Sequence, residues 1–384
     1  MAELDALNLI TSLLFLSSGL FLGWSLGAND ASNVFGSAVG SRMLRFSTAA
    51  WLCSLFVILG AVTAGAGASA GLGALGAVNA LAGSFTTALA AALTVAFMTR
   101  AGLPVSSTQA VVGAIVGWNW FSGSLTDTAQ LSRIVATWVI CPLLAAAFAA
   151  VLYRLGVLWI RWRRPHLLRL DAGLRLGLIL AGIFGSYSLG ANNIANVMGV
   201  FVNASPFSRV SLGAGLSISS TQQLFLLGGL AIAVGVFTYS RRVMTTVGAS
   251  LMSLSPLGAL VVVLANALVL FLFSSEQLAV GLSALGLPPL PLVPVSSSQA
   301  VIGAVLGLGL LQGGRGLRQI RWGVLLRIAS GWVTTPLLAA VLGFVLLFVV
   351  QNVFGQQVVK PVAYQLTPPV LQRLQAAGLP VQRL

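Results

Sequence analysis

Residues 27–39 read "GANDASNVFGSAV", and residues 190–200 read "GANNIANVMGV". Both phrases follow long apolar runs. Both put carboxamide or carboxylate side chains where an apolar helix should simply continue. A charged residue at the centre of a membrane helix costs about 2.5–3.5 kcal/mol on the insertion scale, so such a phrase is not filler. Written once, it reads as the end of a helix at the water interface. Written twice, it points to a duplicated fold with a polar centre.

Two more signals recur in the same order. "PVSSTQAVVGAIVG" (104–117) returns as "PVSSSQAVIGAVLG" (294–307), and "WVICPLLAAA" (138–147) returns as "WVTTPLLAAV" (332–341). The three ordered pairs divide the chain into a first repeat at 1–153, a basic connecting loop at 154–175, a second repeat at 176–351 and a C-terminal tail at 352–384. Pro104 follows Asn29 by 75 residues and Pro294 follows Asn192 by 102, so the second copy carries about 27 extra residues, enough for a short span or a hairpin. The third pair holds no ionisable chemistry. Trp138 and Trp332 read as interface anchors, and Pro142 and Pro336 as helix kinks.

The rest of the chain suits a bilayer. Of 384 residues, 58% are hydrophobic and only 7% charged, against about a quarter charged in soluble domains. Apolar runs near 8–27, 48–68, 81–99, 131–160, 173–190, 210–237, 257–274 and 323–351 match the roughly 20 residues a helix needs to cross. Shorter pieces at 104–120 and 294–311 are expected as full spans or re-entrant half-helices. The expected fold is an all-α polytopic membrane protein of two homologous repeats, with about 10–12 transmembrane helices including broken or re-entrant ones. Continuous apolar runs exclude the alternating pattern of a barrel.

The net charge of +14 comes from arginines in short connections: Arg42 and Arg45, Arg154 to Arg175, Arg241 and Arg242, and Arg315 to Arg327. The positive-inside rule places these on the cytoplasmic side and removes nucleic acid as their explanation; anionic lipid head groups suffice. The N-terminal "MAELDALNLI" is acidic. Residues 8–27 are therefore expected as a retained first span with the N-terminus outside, and not as a signal peptide. Cys53 and Cys141 read as small core residues, and the single histidine, His166, as a solvated loop residue without metal-ligand spacing.

Of six acidic residues, Asp30 alone falls within or at the edge of a membrane segment, which makes it the first candidate functional group. Asn29 and Asn33 flank it. In the second copy the same positions are Asn192, Asn193 and Asn196, with Asn193 in the place of Asp30. The second motif reads as a helix start, with proline at the first helical position and serines able to serve free N–H groups. Ser106, Ser107, Thr108 and Gln109, with Ser296, Ser297, Ser298 and Gln299, then offer donors from two short facing helices. Such helix starts suit an oxyanion. Asn79, Asn119, Asn203 and Asn266 lack a clear counterpart and are assigned nothing.

Together these paired motifs resemble the inorganic phosphate transporter (PiT) family, over residues 10 to 350. The resemblance implies an inverted-repeat helical fold, import of inorganic phosphate driven by sodium or protons, and often a homodimer. It also implies that the two "GAN" phrases and the two serine-rich helix starts surround the anion and its cations. Carried over by position, the anion site draws on Asn29, Asp30, Ser106, Ser107, Thr108, Asn192, Asn193, Ser296, Ser297 and Ser298, with Gln109 and Gln299 one step further on. Asp30, with the amide oxygens of Asn33 and Asn196, is the natural sodium site, since a hard cation prefers oxygen. No cofactor and no catalytic residue is expected.

Two departures stand out. The family usually carries aspartate in the second phrase, where this chain has Asn193, and often histidine where this chain has Gln109 and Gln299. Phosphate keeps a proton near neutral pH, which an ionised carboxylate can accept. Sulfate has none to give, so a missing carboxylate makes sulfate the alternative substrate, with phosphate still ahead because Asp30 remains. A channel would need a continuous polar lining, and an enzyme would need a base or paired carboxylates in the spans; neither is present in the sequence. The working expectation is alternating access, one repeat rocking against the other, in the plasma membrane of a bacterium.

Overall fold

The computed structural model describes residues 2–40, 42–100, 105–213, 216–247, 254–288, 290–313, 316, 318 and 322–361. Pro104, Arg315 and residues 362–384 of the tail lie outside them, and the side chain of Arg327 is likewise not described.

The first repeat runs α1 (Ala2–Asp30), α2 (Ser32–Gly40), α3 (Phe46–Ala64), α4 (Ala66–Gly73), α5 (Leu81–Arg100), α6 (Ser107–Ser122) and α7 (Thr128–Arg163). The second runs α8 (Leu167–Met198), a 3-10 turn (Gly199–Ala204), strands β1 (Val210–Gly213) and β2 (Leu216–Ile218), α9 (Ser220–Thr238), α10 (Ser240–Val247), α11 (Pro256–Ser274), α12 (Glu276–Ala284), α13 (Ser297–Leu311) and α14 (Trp322–Asn352). Seven helices among the described residues are long and apolar enough to cross a bilayer, as expected of an integral, multi-pass membrane protein. The 16 residues of α6 and the 15 of α13 span only about 22–24 Å, short of the ~30 Å hydrocarbon core. They are half-helices, as one branch of the sequence reading had it.

Three expectations change. Residues 154–175 are not a loop: α7 continues to Arg163 and α8 starts at Leu167, leaving only residues 164–166 between them. The physical reason is that arginines near a helix C-terminus favour the helix, so a basic segment after a span can remain helical. His166 then caps α8, its Nδ1 accepting from the Leu168 N–H at 3.3 Å. Second, the apolar run at 210–237 is helical only from Ser220. Before it, Val210 pairs with Ile218 in a small antiparallel hairpin. The helix begins where Ser219 and Gln222 close a capping box. Third, the extra length of the second copy settles between its two alternatives, taking the form of a hairpin and no added span. Besides the hairpin, it includes α12, nine residues of which none is buried.

The two repeats are not side by side. α1 packs on α9, and α3 on α8; α6 packs on α14, and α7 on α13. Each of these contacts joins a helix of one repeat to a helix of the other, and each has its mirror. A Cβ at Gly27 would collide with the Ile232 carbonyl, and one at Gly190 with the Val57 carbonyl. A Cβ at Gly113 would collide with the Pro336 carbonyl, and one at Gly303 with the Pro142 carbonyl. Absent side chains thus let backbones touch, the usual means of tight helix packing where lipid removes the hydrophobic drive. The third motif therefore has a place the sequence reading missed: the backbone of Pro142 in α7 and of Pro336 in α14 is where the other repeat's half-helix lies. Trp138 and Trp332 are half-buried beside them, with their indole N–H groups enclosed, and do not sit as exposed anchors.

The result is a central group of α1, α3, α8 and α9, flanked by two trios, α5–α6–α14 and α11–α13–α7. The central group carries both "GAN" phrases. Each trio carries one serine-rich helix start. Beyond α14, the chain folds back so that Asn79 holds Lys360 by both backbone groups, at 2.8 and 3.0 Å, with Val358 fully buried.

Candidate functional site

The helix of the first copy stops at the site. α1 ends at Asp30, Ala31 turns, and α2 restarts at Ser32, whose hydroxyl donates to the Asn29 carbonyl at 2.6 Å. In the second copy the helix does not stop: α8 runs through Asn192, Asn193 and Asn196 to Met198.

The two equivalent positions meet. The Asn193 Nδ2 donates to the Asp30 Oδ2 at 2.9 Å, and the Asn29 Nδ2 lies 3.4 Å from the Oδ1. The Ser297 hydroxyl also bonds the carboxylate, and it accepts from the Asn33 Nδ2 at 2.9 Å. Asp30 is 7% exposed, and among the described residues its partners are amides and one hydroxyl, none of them cationic. A buried carboxylate held only by neutral donors carries an uncompensated charge.

The serines cap the helix starts as the sequence predicts, but Pro294 does not stand at the first helical position: α13 begins at Ser297 behind its cap Ser296, so the proline lies two residues before the cap, and Pro104 is outside the described residues. The Ser106 hydroxyl accepts from the Gln109 N–H at 3.4 Å and the Ser296 hydroxyl from the Gln299 N–H at 3.3 Å. Ser296 and Ser298 share a hydrogen bond at 2.9 Å. The two starts touch each other, the Thr108 hydroxyl donating to the Val295 carbonyl at 3.4 Å, and Thr108 accepts from the Asn196 Nδ2 at 2.9 Å. Asn192 pins the same backbone twice: its Nδ2 donates to the Val295 carbonyl at 2.7 Å and its Oδ1 accepts from the Val295 N–H at 2.9 Å. The Asn192 Nδ2 also donates to the Asn193 Oδ1 at 2.8 Å, and that bond joins Asn29, Asp30, Asn33, Asn192, Asn193, Asn196, Thr108 and Ser297 into one network through the Val295 backbone. Asp30 and Asn33 meet at Ser297, whereas Asn196 does not join them as the expected cation set required: it bonds Thr108, one position on from Ser107, the counterpart of Ser297, and its Oδ1 is buried without a partner among the described residues.

Gln109 and Gln299 are the most telling members. The tetrapeptide "SSTQ" occurs at 106–109 and again at 219–222. At 219–222 the glutamine side chain does the local job: Gln222 Oε1 accepts from the Ser219 N–H at 2.9 Å and closes the box. At α6 the same letters leave Gln109 fully buried, with neither amide atom partnered among the described residues, and Gln299 at α13 is in the same state. A buried amide without a partner costs about 1–3 kcal/mol. Two such groups, one at each helix start, are what a site looks like when its donors and acceptors are kept for a ligand.

Sequence reasoning missed one partner of the site residues and one buried polar side chain elsewhere on the chain. The Val295 backbone is bonded by both Asn192 and Thr108, and no side-chain motif announces a backbone ligand. Asn266, left unassigned for want of a repeat counterpart, is fully buried on α11 with both amide atoms unpaired. A polar side chain inside a nineteen-residue apolar helix was the available signal.

Known proteins are similar to this chain in sequence and fold. The profile of the phosphate transporter family matches residues 26–285 and 292–381. A protein of Methanocaldococcus jannaschii named "Putative phosphate permease" is 26% identical over 85% of this chain and 93% of its own length. The "Sulfate permease CysP" of Bacillus subtilis is also 26% identical, over 85% of this chain and 84% of its own. A solved structure titled "The sodium-dependent phosphate transporter" superposes with a TM-score of 0.68 at 22% identity, covering 89% of this chain and 99% of that one, and shares the fold. Motifs, architecture and profile agree, and the chain belongs to the phosphate transporter family.

Proposed function

We propose that this protein is a secondary active transporter that imports inorganic phosphate in symport with sodium or protons, by alternating access, across a bacterial plasma membrane. The observation that carries the reading is Asp30: a buried carboxylate whose described partners are all neutral. Its charge asks for a cation, and an anion beside it asks for the same one. Binding both together offsets two desolvation costs at once. The Asn33 amide and the Ser297 hydroxyl supply further oxygen near Asp30, the ligand type a hard cation takes. The capped starts of α6 and α13, with the free amides of Gln109 and Gln299, supply the donors for the anion.

The moving parts follow from the packing. Each repeat is tied to the other by backbone contacts at Gly27, Gly190, Gly113 and Gly303. Rocking one whole repeat against the other would break all four. In our reading the flanking trios, each built from both repeats, shift against the central group, and the serine-rich starts part from the "GAN" phrases to admit the anion. Importing a dianion against an inside-negative potential costs about 2.3 kcal/mol per charge per 100 mV, and two or more cations would offset it.

Sulfate is the second reading, favoured by Asn193 where a second carboxylate would stand and by the sulfate permease among the relatives. The test is uptake of radiolabelled phosphate and sulfate into proteoliposomes under an imposed sodium gradient and then a proton gradient. Gradient-dependent phosphate uptake is the expected result. Sulfate uptake with phosphate excluded would overturn the substrate, and uptake indifferent to both gradients would overturn symport.

A further inference from the structure

The end of α7 holds a feature that the transport site does not use. The 36 residues of α7 make a helix of about 54 Å, far longer than the ~30 Å hydrocarbon core. Its last turns therefore stand at or beyond the head-group level. Trp159 and Trp162 are exposed there, as aromatic residues are at membrane interfaces. Beside them is a cavity of about 420 Å³ lined by Tyr153, Arg154, Val157, Leu158, Arg161 and Leu311. Arg154 and Arg161 lie two turns apart on one face of α7, Val157 and Leu158 lie between them in sequence, and Leu311 closes the far wall from the end of α13. No carboxylate lines this cavity.

We propose that this cavity binds one anionic phospholipid, its phosphodiester between Arg154 and Arg161 and the start of an acyl chain against Val157, Leu158 and Leu311. The volume falls in the range of small-molecule sites, about 300–1,000 Å³. Charge decides the occupant. A second copy of this chain, with 20 basic residues against 6 acidic ones, has little negative surface to offer two guanidinium groups. The head-group layer has a phosphate at the right depth, and planar guanidinium groups suit phosphate oxygens.

The test is native mass spectrometry of the purified full-length protein with added phosphatidylglycerol or phosphatidylcholine. Each basic side chain near an anionic membrane surface is worth about 1 kcal/mol, so two predict a preference for phosphatidylglycerol of roughly tenfold or more. Arg154→Gln with Arg161→Gln should lose that preference. Arg163→Gln with Arg175→Gln, the same change in charge away from the cavity, should keep it. Val157→Trp leaves both arginines and fills the floor, and it should lose the bound lipid as well, which covers the case of a double variant that does not fold. Equal loss in both double variants would mean diffuse surface attraction and overturn the site. So would displacement of the lipid by excess inorganic phosphate, or a change of oligomeric state in the Arg154→Gln, Arg161→Gln variant with lipid retention intact.

Discussion

The two copies of the "GAN" phrase start from nearly the same letters and end as different machines. In the first, the helix breaks after Asp30 and the polar residues stand at the break. In the second, α8 runs on, and Asn192 spends its amide holding the Val295 backbone. Asn29, its counterpart, makes only a 3.4 Å contact with Asp30. The second copy is the better bonded, and the first carries the charge. The repeated motifs pack in mirrored pairs; the function proposed here draws on the departures from that symmetry, with Asp30 against Asn193 as the sharpest.

The largest expected effect breaks that pair. Asp30→Asn should lower gradient-driven uptake in proteoliposomes by roughly a hundredfold or more, the scale of losing one member of a buried charged contact, while the protein still inserts. Normal cation-dependent uptake by this variant would sink the role given to Asp30. The reverse change, Asn193→Asp, puts two carboxylates in direct contact. It should weaken anion uptake at low sodium and raise the sodium dependence, because like charges at that distance need a shared cation or proton. An unchanged sodium dependence would show that the second position is outside the cation site.

Next come the changes that test the symmetric frame. Gly113→Ala and Gly303→Ala should each destabilise the protein by about 1–3 kcal/mol through overpacking, and by similar amounts, since each meets the proline carbonyl of the opposite repeat. Gly73→Ala, where an added methyl meets nothing within 4 Å, is the matched control. Thermal unfolding in detergent measures all three, and a large difference between the first two would break the mirror relation.

A smaller effect separates the two asparagines. Asn192→Ala leaves the buried Val295 N–H unpaired and its carbonyl with only the 3.4 Å bond from Thr108, so it should cost about 1–3 kcal/mol of stability. Asn29→Ala should leave the unfolding temperature nearly unchanged and lower uptake instead. The smallest expected change in stability is at the glutamines. Gln109→Leu and Gln299→Leu remove amides without a partner among the described residues, so stability should hold or rise, while the substrate concentration for half-maximal uptake should increase by about tenfold for a lost ligand hydrogen bond. Unchanged uptake would show these amides to be outside the anion site.

Much of this was legible beforehand. Asp30 could be picked out because charge in an apolar run is costly, and Ser106 and Ser296 because a proline followed by serines is a helix start. Their hydrogen bonds are local, within three or four residues, and local rules suffice. The contact between Asn193 and Asp30 was not legible, since 163 residues separate them. Nor was the different fate of one tetrapeptide: Gln109 and Gln222 sit in the same four letters, and only their surroundings decide which side chain folds back to the cap.

By itself, the sequence determined that this chain crosses a membrane, that it is built twice, and that its polar residues gather at two repeated phrases. Those conclusions rest on apolar run length, periodic repetition and the cost of charge in hydrocarbon, which belong to the chain before it folds. Only the tertiary structure decided that the repeats interlock, that the basic segment between them is helix, and that Asp30 faces its own counterpart without a cationic partner among the described residues. Those depend on which backbones can touch, and that is fixed by pairs of residues far apart in sequence, a glycine on one helix and a carbonyl on another.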